Sequence, residues 1–376
     1  MMHLYNFPTS YSRADYEEAT NNIANKFCNK NCIAVYTWGN IGAPGISDLD
    51  FLMVMQPNTK KIRRITLNKQ ESYLSYHPFF IIDEEIIKNI KYIYPNAPLK
   101  LVKGTKVQTE KIDKTTKDAI NLILYIDIAI RHYPRDFLER VMRNKIDVRN
   151  ALLRLNSLSQ SFTKWSFLKP TKEQKDFSKR ITHLRSNWFS IEERKRNQQI
   201  ITLTNEAIPL SLEIVEQLKN HINKTNFIQV NRSEKPVVYT GLRHRTYFVE
   251  NWDPKHALSD MKTFYKAYGK FYSYLPIEFA ALYAEYAKQE GILSNHIENN
   301  LEQIGFQYKI QNKDIIKKRI HLQNHQAQIA KQTKHSHFPA FYDFGYKSTF
   351  GILNKIIHVG RKAKDTKLYK KLTHKN

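Results

Sequence analysis

The residues of this sequence whose types and spacing can do chemistry lie between Ala34 and Met55, in the run AVYTWGNIGAPGISDLDFLMVM. Asp48 and Asp50 stand two apart at the head of an apolar run, Phe51 to Met55. Residues i and i+2 of a strand share a face, so the spacing predicts two carboxylates side by side. Adjacent carboxylates repel, and burying them is unfavourable unless a cation neutralises them. A hard divalent cation with oxygen ligands, such as Mg²⁺, suits such a pair. An earlier apolar run, Ile33 to Trp38, ends at Gly39-Asn40. Two short apolar runs bounded by turn residues predict two buried strands joined by a Gly/Pro-rich turn. The opposing reading is that Asp48 and Asp50 are turn and strand-edge acids, because Asp is common near turns.

The run G-N-x-x-x-P-G-x-S-D-L-D-F-L, Gly39 to Leu52, resembles the active-site signature of the polymerase-beta-like nucleotidyltransferase superfamily. That signature is a Gly-Ser or Gly-Gly pair after a strand, then roughly ten residues later an acidic-apolar-acidic triplet on the next strand. A third carboxylate lies on a later strand. Here Asn40 stands where the family has Ser or Gly.

The resemblance implies that Asp48 and Asp50 hold two Mg²⁺ ions, with Mn²⁺ as a substitute. The implied reaction moves a nucleoside monophosphate from a nucleoside triphosphate to a hydroxyl or phosphate acceptor. Gly39 would let the backbone approach the phosphates, Asn40 would donate to one of them, and Ser47 would cap the turn and order Asp48. Asp83 lies 33 residues after Asp50, at the end of the apolar run Phe79 to Ile82, and is the candidate third carboxylate and metal ligand. It equally fits the opening acid of a helix through Ile86, Ile87, Ile90 and Ile93, and Glu84 and Glu85 share that ambiguity. In many members of the superfamily a helical second domain closes over the nucleotide. Arg131 and Arg135 are the residues that would line its pocket.

The elements that must position these groups read as follows. Ser12-x-x-Asp15 resembles a helix-capping start, and Tyr16, Ala19, Ile23 and Phe27 follow at helical spacing. Residues 1–105 are expected to form a small mixed-sheet nucleotidyltransferase-like domain. Residues 106–225 read as helical, with a break at Pro134. Arg131, Arg135, Arg140, Arg143, Arg149 and Arg154 lie along this part; they suit phosphate binding, or pairing with Asp127, Asp136, Glu139 and Asp147. Residues 226–376 read as a mixed helical region. Phe227 to Val249 holds three β-rich runs, which suggest a small sheet, and Gly241 to Arg245 is a basic turn. Ser259 to Glu290 reads as helix, capped at Ser259 and broken at Pro276, with aromatics expected in the core. The fold class expected is therefore α+β: a small mixed sheet, then a mainly helical region with a short β element and a basic C-terminal tail.

Net charge is +25, from 60 Lys and Arg against 35 Asp and Glu. Such an excess favours anionic partners, RNA or a phosphorylated small molecule among them. Residues 311–376 carry fifteen Lys or Arg against three Asp. A second function class follows: a non-catalytic RNA- or polyanion-binding protein on a degenerate nucleotidyltransferase fold. His321 and His325, with His335 and His337, imitate a metal site, but the sequence places no acid beside them. Cys28 and Cys32 are too few for a structural zinc site and read as thiols in a reducing compartment. The N-terminus lacks a signal-peptide core, and no apolar run spans a membrane, so a cytoplasmic protein with no transmembrane segment is expected.

Overall fold

Ser12 opens the first helix by the expected reciprocal cap. Its hydroxyl accepts from the Asp15 N–H, and the Asp15 carboxylate accepts from the Ser12 N–H at 2.6 Å. In the computed structural model, described for residues 2–332 except 29–30, 58, 60–61, 63–64, 77–78, 97, 165–167, 233–234 and 241–244, the chain is α+β. β1 (His3–Tyr5) and α1 (Arg13–Phe27) lead into β2 (Cys32–Trp38) and β3 (Asp50–Met55). Then follow α2 (Lys69–Leu74), β4 (Phe80–Asp83), α3 (Glu84–Lys88), a 3₁₀ turn at Ile90–Tyr92 and β5 (Leu99–Gly104).

These strands form one mixed sheet in the order β4-β3-β2-β5. β2 runs antiparallel to β3 and β5, and β3 runs parallel to β4. Central β3 is covered on both faces, which explains its unbroken apolar sequence. Leu49, Phe51 and Met53 pack with Tyr16, Ile23 and Phe27 of α1. Leu52 and Val54 face the other way, towards Ile86, Ile87, Ile90 and Leu322.

The next part is helical: α4 (Lys114–Arg131), α5 (Arg135–Met142), a short β6 (Lys145–Asp147), α6 (Val148–Lys164), α7 (Lys172–Ser186) and α8 (Glu193–Thr225). α4 and α5 separate at Pro134, as its ring requires. The C-terminal part holds β7 (Ile228–Arg232), β8 (Val237–Thr240), β9 (Arg245–Val249), α9 (Pro254–Tyr268), β10 (Tyr272–Pro276), α10 (Glu278–Ala287), α11 (Ile292–Glu298), β11 (Leu301–Glu302), β12 (Gln307–Ile310) and α12 (Lys313–Gln332).

Three expectations need correction here. Tyr272–Pro276 is a strand, not a turn of helix: Gly269, at φ +62°, ends α9, and the segment pairs in parallel with β9. The cap of α9 is Asp253, not Ser259. Two of the three β-rich runs, β8 and β9, pair as expected in a sheet that β10 and β11 extend, but the first, β7, pairs with β12 instead. The aromatics do enter the core: Phe264, Phe271, Tyr272, Phe279, Tyr283 and Tyr286 are buried.

The basic stretch after Gln311 divides. Lys313–Gln332 is a docked helix with buried Ile316, Ile320, Leu322 and Ala327. The tail at Arg361–Lys371, His335 and His337, and Arg243 and His244 of the basic turn all lie outside the described residues. No described helix is long and apolar enough to cross a membrane. Cys28 and Cys32 are free and half-buried, and burial and the neighbouring Cys28 push the Cys32 thiol up to about 12.

Elements cross between the three stretches of chain. β1 pairs with β6, and α12 packs on the first sheet. Arg319 of α12 anchors that packing. It is buried, donates to the Tyr92 and Ile93 carbonyls at 3.0 and 2.6 Å, and pairs with buried Asp127 of α4 at 3.2 Å. Breaking a buried pair from one side leaves an uncompensated charge. Arg319→Met is expected to lower unfolding free energy by about 3–5 kcal/mol in urea melts, with most of that loss recovered in Arg319→Met/Asp127→Leu.

Candidate functional site

The turn between β2 and β3 is built from inside the protein outward. Gly39 and Asn40 are exposed, and Gly39 sits at φ +90° with open space around it. Gly45 is different. Its φ is +81°, and a Cβ there would lie 2.4 Å from the Thr9 carbonyl oxygen and 2.8 Å from the Phe189 ring, so only glycine fits. Ser47 is buried; its hydroxyl oxygen accepts from the Ala43 N–H at 3.1 Å and from Arg185 Nη2 at 3.3 Å. The Ser47 carbonyl accepts from the Tyr16 hydroxyl at 2.6 Å. Tyr73 donates to the Gly45 carbonyl at 2.7 Å.

The strongest restraint comes from α6. Arg149 is 2% exposed. Its guanidinium donates to the carbonyls of Ile46, Tyr73 and Ser47 at 3.3, 2.7 and 3.4 Å and lies 3.8 Å over the Tyr73 ring. The loop that aims Asp48 is thus fixed by helices outside the first sheet.

Asp48 and Asp50 are half-buried and alternate with buried Leu49 and Phe51. Asp50 opens β3 and shares the face of Leu52 and Val54, while Asp48 lies in the turn just before the strand, near enough for its charge to act on the Asp50 carboxyl. Asp50 is paired in register with Trp38. The Trp38 ring lies edge-on to Tyr94 at 4.4 Å. Burial, and then the Asp48 charge, push the Asp50 carboxyl up to about 8, against a hydrogen bond from Trp38. The Arg185 guanidinium, lowered by burial to about 10, is favoured as a cation by Asp48. Its Nε is buried and has no hydrogen-bond partner among the described residues. Arg131 donates to the Asp127 carbonyl at 3.3 Å and acts electrostatically on half-buried Tyr94, so it lies in the neighbourhood of the Trp38–Tyr94 contact.

Other expected site residues go elsewhere. Asp83 is opposite Met55 in the parallel β3–β4 ladder, while Asp50 begins β3. Five strand residues at about 3.3 Å each put it roughly 16 Å away along the sheet. Its Oδ1 accepts from the Ile86 N–H at 3.1 Å as the cap of α3, and its Oδ2 meets His325 Nε2 at 2.5 Å. Asp83 is thus a helix-start acid and does not complete the Asp48–Asp50 pair. The sequence from Ser72 to Ile82 contains no other acid to replace it. Arg135 is committed to Asp136 at 3.1 Å and to the Arg131 carbonyl at 2.6 Å. Ser47 orders the loop, and its burial leaves no room for it as a direct phosphate contact.

Do the residues present fit a divalent cation? Two neighbouring carboxylates, one of them unfavourable as an anion, are what such an ion relieves, and a Mg²⁺ site commonly uses one or two carboxylates with substrate phosphates. The donor set fits one ion directly; a second would lack the third carboxylate. Neither of two cavities of about 440 and 490 Å³ is lined by Asp48 or Asp50. Tyr16, Tyr73, Arg149 and Arg185 were not legible as site residues. Tyr16 reads as an apolar helix position and Arg149 as one of six similar arginines; only contacts distant in sequence single them out.

The Asp50 value lies above the ~3.9 of an unfolded aspartate. Its contribution to stability is therefore full below about pH 4 and lost as pH rises through about 8. In chelator-treated protein, Tm is expected to fall over that window, less steeply in Asp50→Asn, and millimolar Mg²⁺ should restore it at the alkaline end. An identical pH slope in Asp50→Asn would contradict this electrostatic account. No family model, curated protein or solved structure matches the chain.

Proposed function

We propose that the site at Asp48 and Asp50 binds a nucleoside triphosphate with Mg²⁺ and transfers its nucleoside monophosphate to a hydroxyl or phosphate acceptor. The observation that carries this reading is the closeness of two half-buried carboxylates, Asp48 in the turn and Asp50 at the head of β3, beside an exposed Gly39-Asn40 turn. Mg²⁺, or Mn²⁺ in its place, would supply charge neutralisation for the phosphates when bound between Asp48 and Asp50. Gly39 leaves the backbone open to close approach by a phosphate, and Asn40 presents an amide N–H₂ donor on the exposed turn. Arg185, favoured as a cation by Asp48, adds positive charge beside the pair. The net charge of +25 draws polyanions, including an RNA acceptor, towards the protein.

A second reading rests on a specific observation: Asp83 lies at the other end of the sheet. A site with two carboxylates and no third can hold a nucleotide or RNA without turning it over. One assay separates the two. The full chain is incubated with Mg²⁺ and α-labelled nucleoside triphosphates, with RNA, a sugar phosphate or no added acceptor. Transfer is expected to release pyrophosphate and to fall about 100-fold or more in Asp48→Asn, the scale of losing a group that stabilises developing charge. No release under any condition, with RNA affinity falling steeply in salt, would replace the enzyme reading with the binding one.

A further inference from the structure

α12 brings two imidazoles to two carboxylates from a part of the chain 242 residues earlier. His321 and His325 are one helical turn apart, with ring planes 3° from parallel and centroids 6.4 Å apart. Opposite them stand Asp83, at the end of β4, and Glu85, in the first turn of α3. His325 Nε2 lies 2.5 Å from Asp83 Oδ2 and 3.7 Å from Glu85 Oε2. His321 Nε2 lies 3.1 Å from Glu85 Oε1. Asp83, Glu85 and His325 each offer a ligand atom, and these three atoms lie within 4.8 Å of one another.

We propose that Asp83, Glu85 and His325, with His321 as a fourth ligand from the rim, bind a transition-metal dication of the Zn²⁺ class that clips α12 to the first sheet. The donors are imidazole nitrogen and carboxylate oxygen, the set that suits Zn²⁺ and its Co²⁺ or Ni²⁺ analogues better than Mg²⁺. Asp83 is already oriented for the task. Its Oδ1 is occupied by the Ile86 N–H, which leaves Oδ2 aimed at His325. Such an outer partner fixes a ligand's direction in metal sites.

The supports on both sides are firm. Gln326, next to His325, donates to the Ile81 carbonyl at 3.0 Å, and buried Leu322 packs against Ile86 and Ile87. Bonds of about 2.0–2.1 Å in a tetrahedral shell separate ligand atoms by about 3.3 Å. The 2.5 Å contact therefore opens by under an ångström as the ion replaces a shared proton, which leaves to solvent. The rim is accessible, with the side chains of His321 and Glu85 68% and 49% exposed. The site is separate from Asp48 and Asp50 and does not depend on the nucleotidyltransferase reading.

The test uses the full chain stripped with chelator and titrated with Zn²⁺ by calorimetry, and with Co²⁺ by visible absorption. The expected result is one tight equivalent, a tetrahedral Co²⁺ spectrum and a Zn²⁺-dependent rise in Tm. His325→Gln is expected to weaken Zn²⁺ at least about 100-fold, beyond what losing an outer-shell partner does. His325→Cys should retain binding with a thiolate-to-Co²⁺ band. Should His325→Gln lose its fold, the exposed His321→Gln gives the same readout as a smaller loss of affinity. The control His335→Gln/His337→Gln should bind like the parent chain. Absence of a tight equivalent, unchanged binding in His325→Gln, or loss confined to the His335/His337 variant would each overturn the proposal.

Discussion

A guanidinium taken out of water must find acceptors for a rigid fork of N–H donors, and Arg149 finds them in the backbone of the turn it fixes. Three carbonyls, Ile46, Ser47 and Tyr73, receive its donors, and the Tyr73 ring covers its face. Carbonyls placed any other way would leave a buried cation unsolvated, so the turn has little freedom once α6 is packed. The direction of Asp48 is therefore decided by a helix about a hundred residues further along the chain. Tyr16 and Tyr73 complete the frame from α1 and α2, each binding the turn through its hydroxyl.

The sheet uses its two ends differently. At the start of β3, Asp50 is paired with Trp38 and feels the charge of Asp48, and the cation beside them is the Arg185 guanidinium. At the end of β4, Asp83 meets imidazole nitrogen. The first end is oxygen-rich and suited to a hard ion with phosphates; the second has mixed nitrogen and oxygen donors. Parallel pairing of β3 with β4 creates this separation, because equivalent positions advance together and an acid at the strand's end cannot return to its start.

Local features were legible in the sequence where the physics is local. The Ser12 cap, the paired strands around the turn and the break at Pro134 each follow from a few adjacent residues. The dual reading of Asp83 could not be resolved that way, since helix cap and strand-end ligand demand the same residue type. Register decides between them, and register depends on which strand becomes the neighbour. Tyr272–Pro276 shows the same limit. Its aromatics suit a helix face or a strand, and pairing with β9 settles which. The acids missing from around His321 and His325 in the sequence are supplied across space by the end of β4 and the first turn of α3.

The placement of α12 bears on how the chain is made. The strands of the first sheet leave the ribosome early, yet one face of β4 and the carbonyls after α3 wait for Leu322, Gln326 and Arg319. During most of translation that apolar face is without its cover, and incomplete folds with bare apolar surface are prone to aggregate. Closure over such a sequence distance also makes the final docking slow relative to helix formation. A nascent chain arrested before Lys313 would therefore display a patch of Ile82, Ile86 and Ile87, the kind of surface on which a chaperone acts.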